Sequence, residues 1–274
     1  MAALVLLAGW GSAMLLRDAP GALVDERELN PRAGEETIAA LRHNRARERS
    51  VAANLASYLR GLAHGELGFS ESNHTSVAAL IADRAPRTLR DVGCGLTLGW
   101  IAGLAAAVLV ARFPRAWPCD VAFLGASAIA LSLPAAFLAY LAMLAQATPK
   151  LVLAVVIAPE IFQYSRNVLR DGYGAAHVEM ARARGVSESA ILARHVFPAA
   201  APPLIALAAA SVSMAIGAAI PIEAICDAPG LGRLAWQAAT ARDLPLLINM
   251  TMLVALATTS AMTISEFFVR RGNR

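Results

Sequence analysis

Few residues in this sequence can do chemistry, and their spacing excludes most of it. The five histidines, His43, His64, His74, His177 and His195, are isolated. None shares an apolar run with a second ionisable group, as a proton relay would require. Neither H-E-x-x-H nor G-x-S-x-G occurs, so a zincin site and a nucleophile elbow are not expected. Cys94, Cys119 and Cys226 stand singly without C-x-x-C spacing, which suits small apolar residues better than a disulfide or a metal site. Of the 24 basic residues 23 are arginine, and the single lysine, Lys150, lies between Pro149 and Leu151. A phosphate loop needs Gly-Lys followed by Ser or Thr. Hydrolysis of ATP by this chain is therefore not expected, and nucleotide-driven work has to come from a partner. One acidic residue, Glu160, interrupts an otherwise apolar segment, three residues before Gln163 and six before Arg166. It reads as an ion pair near one end of its helix.

Two polar stretches carry patterns of another kind. His177-Val178-Glu179-Met180-Ala181-Arg182-Ala183-Arg184-Gly185-Val186-Ser187-Glu188 continues to His195-Val196-Phe197-Pro198. It predicts a short helix stopped by Gly185 as a C-terminal cap and a second helix opened by Ser187. Helix, glycine and helix on a polar loop make a compact knob. Arg166, Arg170, Arg182, Arg184 and Arg194 against Asp171, Glu179 and Glu188 suit a docking surface as well as a solvated one. The second stretch, Glu223-Ala224-Ile225-Cys226-Asp227-Ala228-Pro229-Gly230-Leu231-Gly232-Arg233-Leu234 and then Arg242-Asp243-Leu244-Pro245, contains a turn that needs two glycines.

The elements that must position these residues follow from where charge is missing. The chain has 274 residues, 57% of them hydrophobic and 16% charged, with a mean hydropathy of +0.54. Residues 92–111, 121–149, 198–222 and 244–265 form runs of 20, 29, 25 and 22 residues without one charged side chain. A helix needs about 20 residues to cross the hydrocarbon core. An all-α, polytopic membrane protein of about six spans is expected. Residues 1–16 form the first span, and 17–88 an extracytoplasmic, periplasmic region with an amphipathic helix through Val51, Leu55, Tyr58, Leu59 and Leu62. A core of spans two to six fills 89–274, with spans at about 89–111, 121–145, 151–169, 197–222 and 244–268 and the knob on loop 170–197. Gly95, Gly99 and Gly103 in span two form a doubled G-x-x-x-G that lets another helix approach its backbone. Pro134 and Pro159 are expected to kink spans three and four, and Pro221 to end span five. The net charge of +4 does not argue for nucleic acid, because basic residues on a membrane protein mostly signal topology. Ten arginines lie in 112–116, 166–195 and 270–274, against Lys150, Arg233 and Arg242 in the short loops opposite. That bias places the knob and both termini in the cytoplasm.

The knob resembles the EAA motif of permease subunits from binding-protein-dependent ABC transporters, with Glu179, Ala181, Gly185 six residues after the glutamate and Pro198 thirteen after the glycine. Met180 and His195-Val196-Phe197 depart from the usual pattern. The stretch from Glu223 to Leu234 with Arg242-Asp243 is similar to the extracytoplasmic signature of the first permease of dipeptide, oligopeptide and nickel importers. Gly65-Glu66-Leu67-Gly68-Phe69-Ser70, Val77 and Arg84-Ala85-Pro86-Arg87-Thr88-Leu89 resemble the approach to span two in that subfamily.

The resemblance implies the type I ABC importer permease architecture in a bacterial inner membrane. It also implies a second homologous permease, two cytoplasmic ATP-binding subunits that hold ATP and Mg, an extracytoplasmic substrate-binding protein, and surrounding lipid. No cofactor or metal is expected on this chain itself. Glu179, Ala181, Arg182, Arg184, Gly185 and Pro198 then form the ATPase-coupling loop. Glu223, Pro229, Gly230, Gly232, Arg233, Arg242 and Asp243 form the extracytoplasmic signature. Di- or oligopeptides are the expected solute, with nickel or another small solute as the alternative. An ion-coupled carrier or intramembrane enzyme would make Glu160 and Arg166 central, and a non-transporting scaffold would bind no ATPase.

Overall fold

The computed structural model describes residue 11 and residues 67–70, 72–112 and 117–272. Residue 11 apart, the expected first span and the amphipathic helix of the 17–88 region lie outside these residues. After a short antiparallel hairpin of β1 (Phe69–Ser70) and β2 (Thr75–Ser76), the described chain is helical. The order is α1 (Val77–Arg112), α2 (Trp117–Ser132), α3 (Ala135–Leu144), α4 (Pro149–Tyr173), α5 (Ala176–Ala183) and α6 (Glu188–Ile191). A π-helical turn (Leu192–Val196) leads into α7 (Phe197–Ile225), followed by α8 (Leu231–Thr240) and α9 (Leu244–Gly272).

Among the described residues three helical stretches are long and apolar enough to cross a membrane: α1, the continuous run Glu188–Ile225, and α9. A fourth is added if α2 and α3 count as one span bent by 97°. Span three is thus no single kinked helix, because Pro134 serves as the N-cap of α3 and a new axis starts there. Pro221 does not end span five. It lies inside α7, which runs on to Ile225, since one missing N–H removes one ladder bond and neighbouring groups can absorb it. The expected fourth span, α4, is one 25-residue helix through Pro159, and it is not among the three.

The chain divides into two compact units, Met1–Asp83 with Gln237–Ala255, and Arg84–Trp236 with Leu256–Arg274. The second holds two apolar cores. One joins α1, α3, α4 and α7 through Val92, Ala139, Leu153, Ile157 and Ile222. The other joins the ends of α1 and α4 to α5, α6, the π turn and the start of α7, through Val110, Leu169, Val178, Ile191 and Val196. Burying such side chains is worth roughly 1.5–3 kcal/mol each in water, but lipid tails are as apolar as leucine, so close packing has to supply the association inside the bilayer. The glycine stripe of α1 does this against α4. A Cβ on Gly95 would stand 2.6 Å from the Leu153 Cβ, and one on Gly103 2.7 Å from the Ala158 carbonyl oxygen. At Gly99 the approach is looser, 3.4 Å to Ala154 and Ile157.

Candidate functional site

The knob is built by a short helix, a glycine and a second helix seated on the second apolar core. α5 closes in the two-bond Schellman pattern: the Gly185 N–H donates to the Arg182 carbonyl at 3.0 Å and the Val186 N–H to the Ala181 carbonyl at 3.2 Å. This requires a left-handed residue at 185, and Gly185 has φ +77°. Arg182 then clamps α5 to α6, its Nε donating to Glu188 Oε1 at 2.7 Å and its Nη2 to Oε2 at 3.3 Å. Ala181 is buried with Val178 under the helix. Glu179, Met180 and Arg184 are exposed on it, with Met180 Sδ 3.8 Å from Arg184 Nη2. Pro198 stands in the first turn of α7. Lacking an N–H, it cannot extend the preceding ladder, and the π turn widens the helix just before it. The six positions are thus brought together in two roles: Ala181, Arg182, Gly185 and Pro198 shape the knob, while Glu179 and Arg184 face outward.

At the other end of α7 a second constellation is organised by one carboxylate. Glu223, 1% exposed, accepts from Thr88 Oγ1 at 2.7 Å through Oε1, and from the Gly232 and Arg233 N–H groups at 2.7 and 3.3 Å through Oε2. The Leu231 N–H donates to Thr88 Oγ1 at 2.7 Å. Three otherwise unmatched donors at the start of α8 are therefore met by side chains of two other helices, Glu223 from the end of α7 and Thr88 from α1, and the negative charge sits at the favourable end of the helix dipole. The glycines follow from this closeness. A Cβ on Gly230 would collide with the Glu223 carboxylate, and one on Gly232 would lie 2.7 Å from the Ala219 carbonyl oxygen. Arg233 pairs with Asp227 Oδ1 at 2.7 Å, and Asp227 takes up a left-handed conformation at φ 51°. Pro229 precedes the two-glycine turn and is half-buried.

Asp243 belongs to the other compact unit. Its Oδ1 accepts from the Leu246 N–H at 3.2 Å, capping α9. Its Oδ2 accepts from Ser70 Oγ at 2.6 Å, Ser72 Oγ at 2.7 Å and the Ser72 N–H at 3.1 Å. Burial opposes ionisation of Asp243, but the bonds from Ser70 and Ser72 outweigh it and hold the carboxyl below its ordinary 3.8. Asn249 fastens the same segment, donating to the Leu67 carbonyl at 2.8 Å. Arg242 is exposed with φ 55°.

Sequence reasoning did not select Thr88, Ser70, Ser72 or Asn249 as site residues. The partners that give them roles are 135 or more positions away, and only their place in the resembling segments 65–70 and 84–89 marked Thr88 and Ser70. Nor does Arg166 pair with Glu160, as the spacing on one helix suggests. It binds Asp120, with Nε and Nη2 each 2.5 Å from a carboxylate oxygen. Glu160 is half-buried at mid-helix. Among the described residues no group of three or more His, Cys, Asp or Glu is placed to hold a metal ion. The two constellations hold backbone in place.

With this geometry in view, a family model described as "binding-protein-dependent transport system inner membrane component" matches residues 95–274. A putative peptide permease protein of Brucella ovis is 27% identical, over 88% of this chain and 85% of its own length. The glutathione transport system permease protein GsiC of Escherichia coli is 24% identical, over 82% and 79%. Among solved structures, an inward-facing conformation of the MetNI methionine ABC transporter superposes with a TM-score of 0.63 at 18% identity, covering 71% of this chain and 97% of that one. The last likeness speaks to the fold.

Proposed function

This chain belongs to the family of binding-protein-dependent transport system inner membrane components, and on that premise we propose that it is the permease through which an ABC importer takes up di- or oligopeptides. Family membership makes it a multi-pass inner-membrane transport component. The names of the relatives, peptide permeases and a glutathione permease, favour a short peptide as the solute. A second homologous permease completes the pathway in this reading. Two cytoplasmic subunits bind ATP with Mg, and an extracytoplasmic binding protein delivers the solute. Both termini lie in the cytoplasm, as the arginine bias suggests.

The observation that carries the reading is the construction of the knob. Its two helices are locked by the Gly185 closure and the Arg182–Glu188 clamp and rest on a buried core shared with α1, α4 and α7. A rigid projection transmits displacement that a loose loop would absorb. Glu179 and Arg184 are the contact residues for the ATPase, and Ala181 and Arg182 act by shaping what they stand on. The Glu223 constellation holds the turn before α8 at the extracytoplasmic mouth.

Gly185 provides the test. No atom lies within 4 Å of a Cβ built there, so a side chain meets open space and the cost is conformational, about 1–2 kcal/mol for a residue that resists the left-handed region. Gly185→Val is expected to insert normally into the membrane, lose co-purifying ATPase and lose uptake of a labelled tripeptide. Gly185→Asn, which tolerates that conformation, is expected to behave almost as the parent. Normal uptake by the valine variant would overturn the assignment of this loop as the coupling element.

A further inference from the structure

The seam between α2 and α4 is charged and polar where the apolar cores are not. Asp120, in the first turn of α2, receives Arg166 at both carboxylate oxygens and Arg170 Nη2 at 2.8 Å. Asp120 and Arg166 are 7% and 8% exposed. Arg166 also donates to Asn167 Oδ1 at 3.0 Å. Deeper along the same seam the Phe123 and Phe162 rings lie 5.7 Å apart, and Gln163 Nε2 donates to Ser127 Oγ at 2.9 Å. On α2 the contacts run from Asp120 through Phe123 to Ser127, and on α4 from Arg170 and Arg166 to the adjacent residues Phe162 and Gln163.

This ladder has a mechanical position. Only Gly174 and Ala175 separate Tyr173, the last residue of α4, from α5, and Gly172 is packed so tightly that a Cβ would stand 3.0 Å from Val196 in the π turn. At the far end of α2 the chain turns by 97° into α3. A buried ion pair seldom adds stability over apolar packing of the same volume, and its best-attested use is to fix register. A planar guanidinium gripping one carboxylate at both oxygens fixes register and orientation together.

Resting on the importer reading above, we propose that Asp120 is a positioning residue that locks α2 to α4 through Arg166 and Arg170, making α2, α4 and the knob one rigid strut that carries displacement from α5 to the bend at Pro134. Nothing in the strut slides during a transport cycle. Removing the Asp120 charge frees α2 from the knob while α4 stays seated on its cores.

The test uses the complete complex in lipid, with the native cysteines replaced by alanine, and needs no solute. Spin labels at Ser132→Cys and Ala176→Cys, both exposed, report the separation of the bend from the knob. In the parent this distance is expected to stay the same with and without ATP. In Asp120→Asn it is expected to broaden and to depend on nucleotide. Should that variant fail to assemble, Arg170→Gln leaves the two-point Arg166 grip and carries the same comparison with a smaller change. A disulfide between Ser127→Cys and Gln163→Cys is expected to leave ATP hydrolysis within about twofold of the reduced protein. A nucleotide-dependent distance in the parent, an unchanged distribution in both variants, or a roughly tenfold loss of hydrolysis on oxidation that reduction restores would each overturn the strut. A complex that contains no ATPase would instead refute the importer reading.

Discussion

At the residue scale, two carboxylates organise backbone, and they differ in how they can be tested. Both oxygens of Glu223 accept hydrogen bonds. Glu223→Gln would turn an NH2 group toward donors that need an acceptor, at a cost of about 1–3 kcal/mol for the stranded group. The expected outcome is a lower unfolding midpoint in detergent and faster protease cleavage near residue 231. Thr88→Val strands the Leu231 N–H and should show the same signature. Asp243 is a titration problem. Its carboxyl is held below 3.8 in the fold, so its contribution is fully present above that value and is lost as pH falls through the folded one. Deuterium exchange at the Ser72 amide is expected to be flat with respect to this clasp at pH 5 and above, and to accelerate beyond its intrinsic pH dependence only below 3.8. Asp243→Asn should remove that acid step, and a step near neutral pH would show that another group holds the segment.

At the scale of elements, close approach between α1 and α4 is set by missing side chains. Gly103→Leu would drive a side chain into the Ala158 carbonyl and the Ile161 Cβ, and overpacking of this kind costs typically 1–3 kcal/mol. Gly99→Ala meets ordinary contact distances and should be mild. The expected order of thermal stability is parent, then Gly99→Ala, then Gly103→Leu, and equal stability would remove the stripe from the packing account. Much of this level was legible in the chain. The charge-free runs mark α1, α7 and α9 because a membrane helix has to exclude charge. The Glu179–Gly185 spacing marks the knob because a helix that ends in a left-handed residue favours glycine. The 97° break escaped because a proline reads equally well as a kink or as the start of a new helix. The partner of Arg166 escaped because the carboxylates close to it in sequence, Glu160 and Asp171, are on its own helix, whereas Asp120 comes from another. The polar stretch that holds α8 predicts only a two-glycine turn, because the caps of the helix, Glu223 and Thr88, are supplied by α7 and α1.

At the scale of the whole molecule, the rigid knob and the family membership support the proposed account, in which energy enters from a partner ATPase at the knob and drives passage of a peptide. The direct measurement is uptake of a labelled tripeptide into proteoliposomes holding this chain with its partner permease, ATPases and binding protein. Uptake is expected to require ATP with Mg inside the vesicles and the binding protein outside them, to survive collapse of ion gradients, and to persist in Glu160→Gln. Uptake that continues without ATP, follows a proton or sodium gradient and disappears in Glu160→Gln would contradict it.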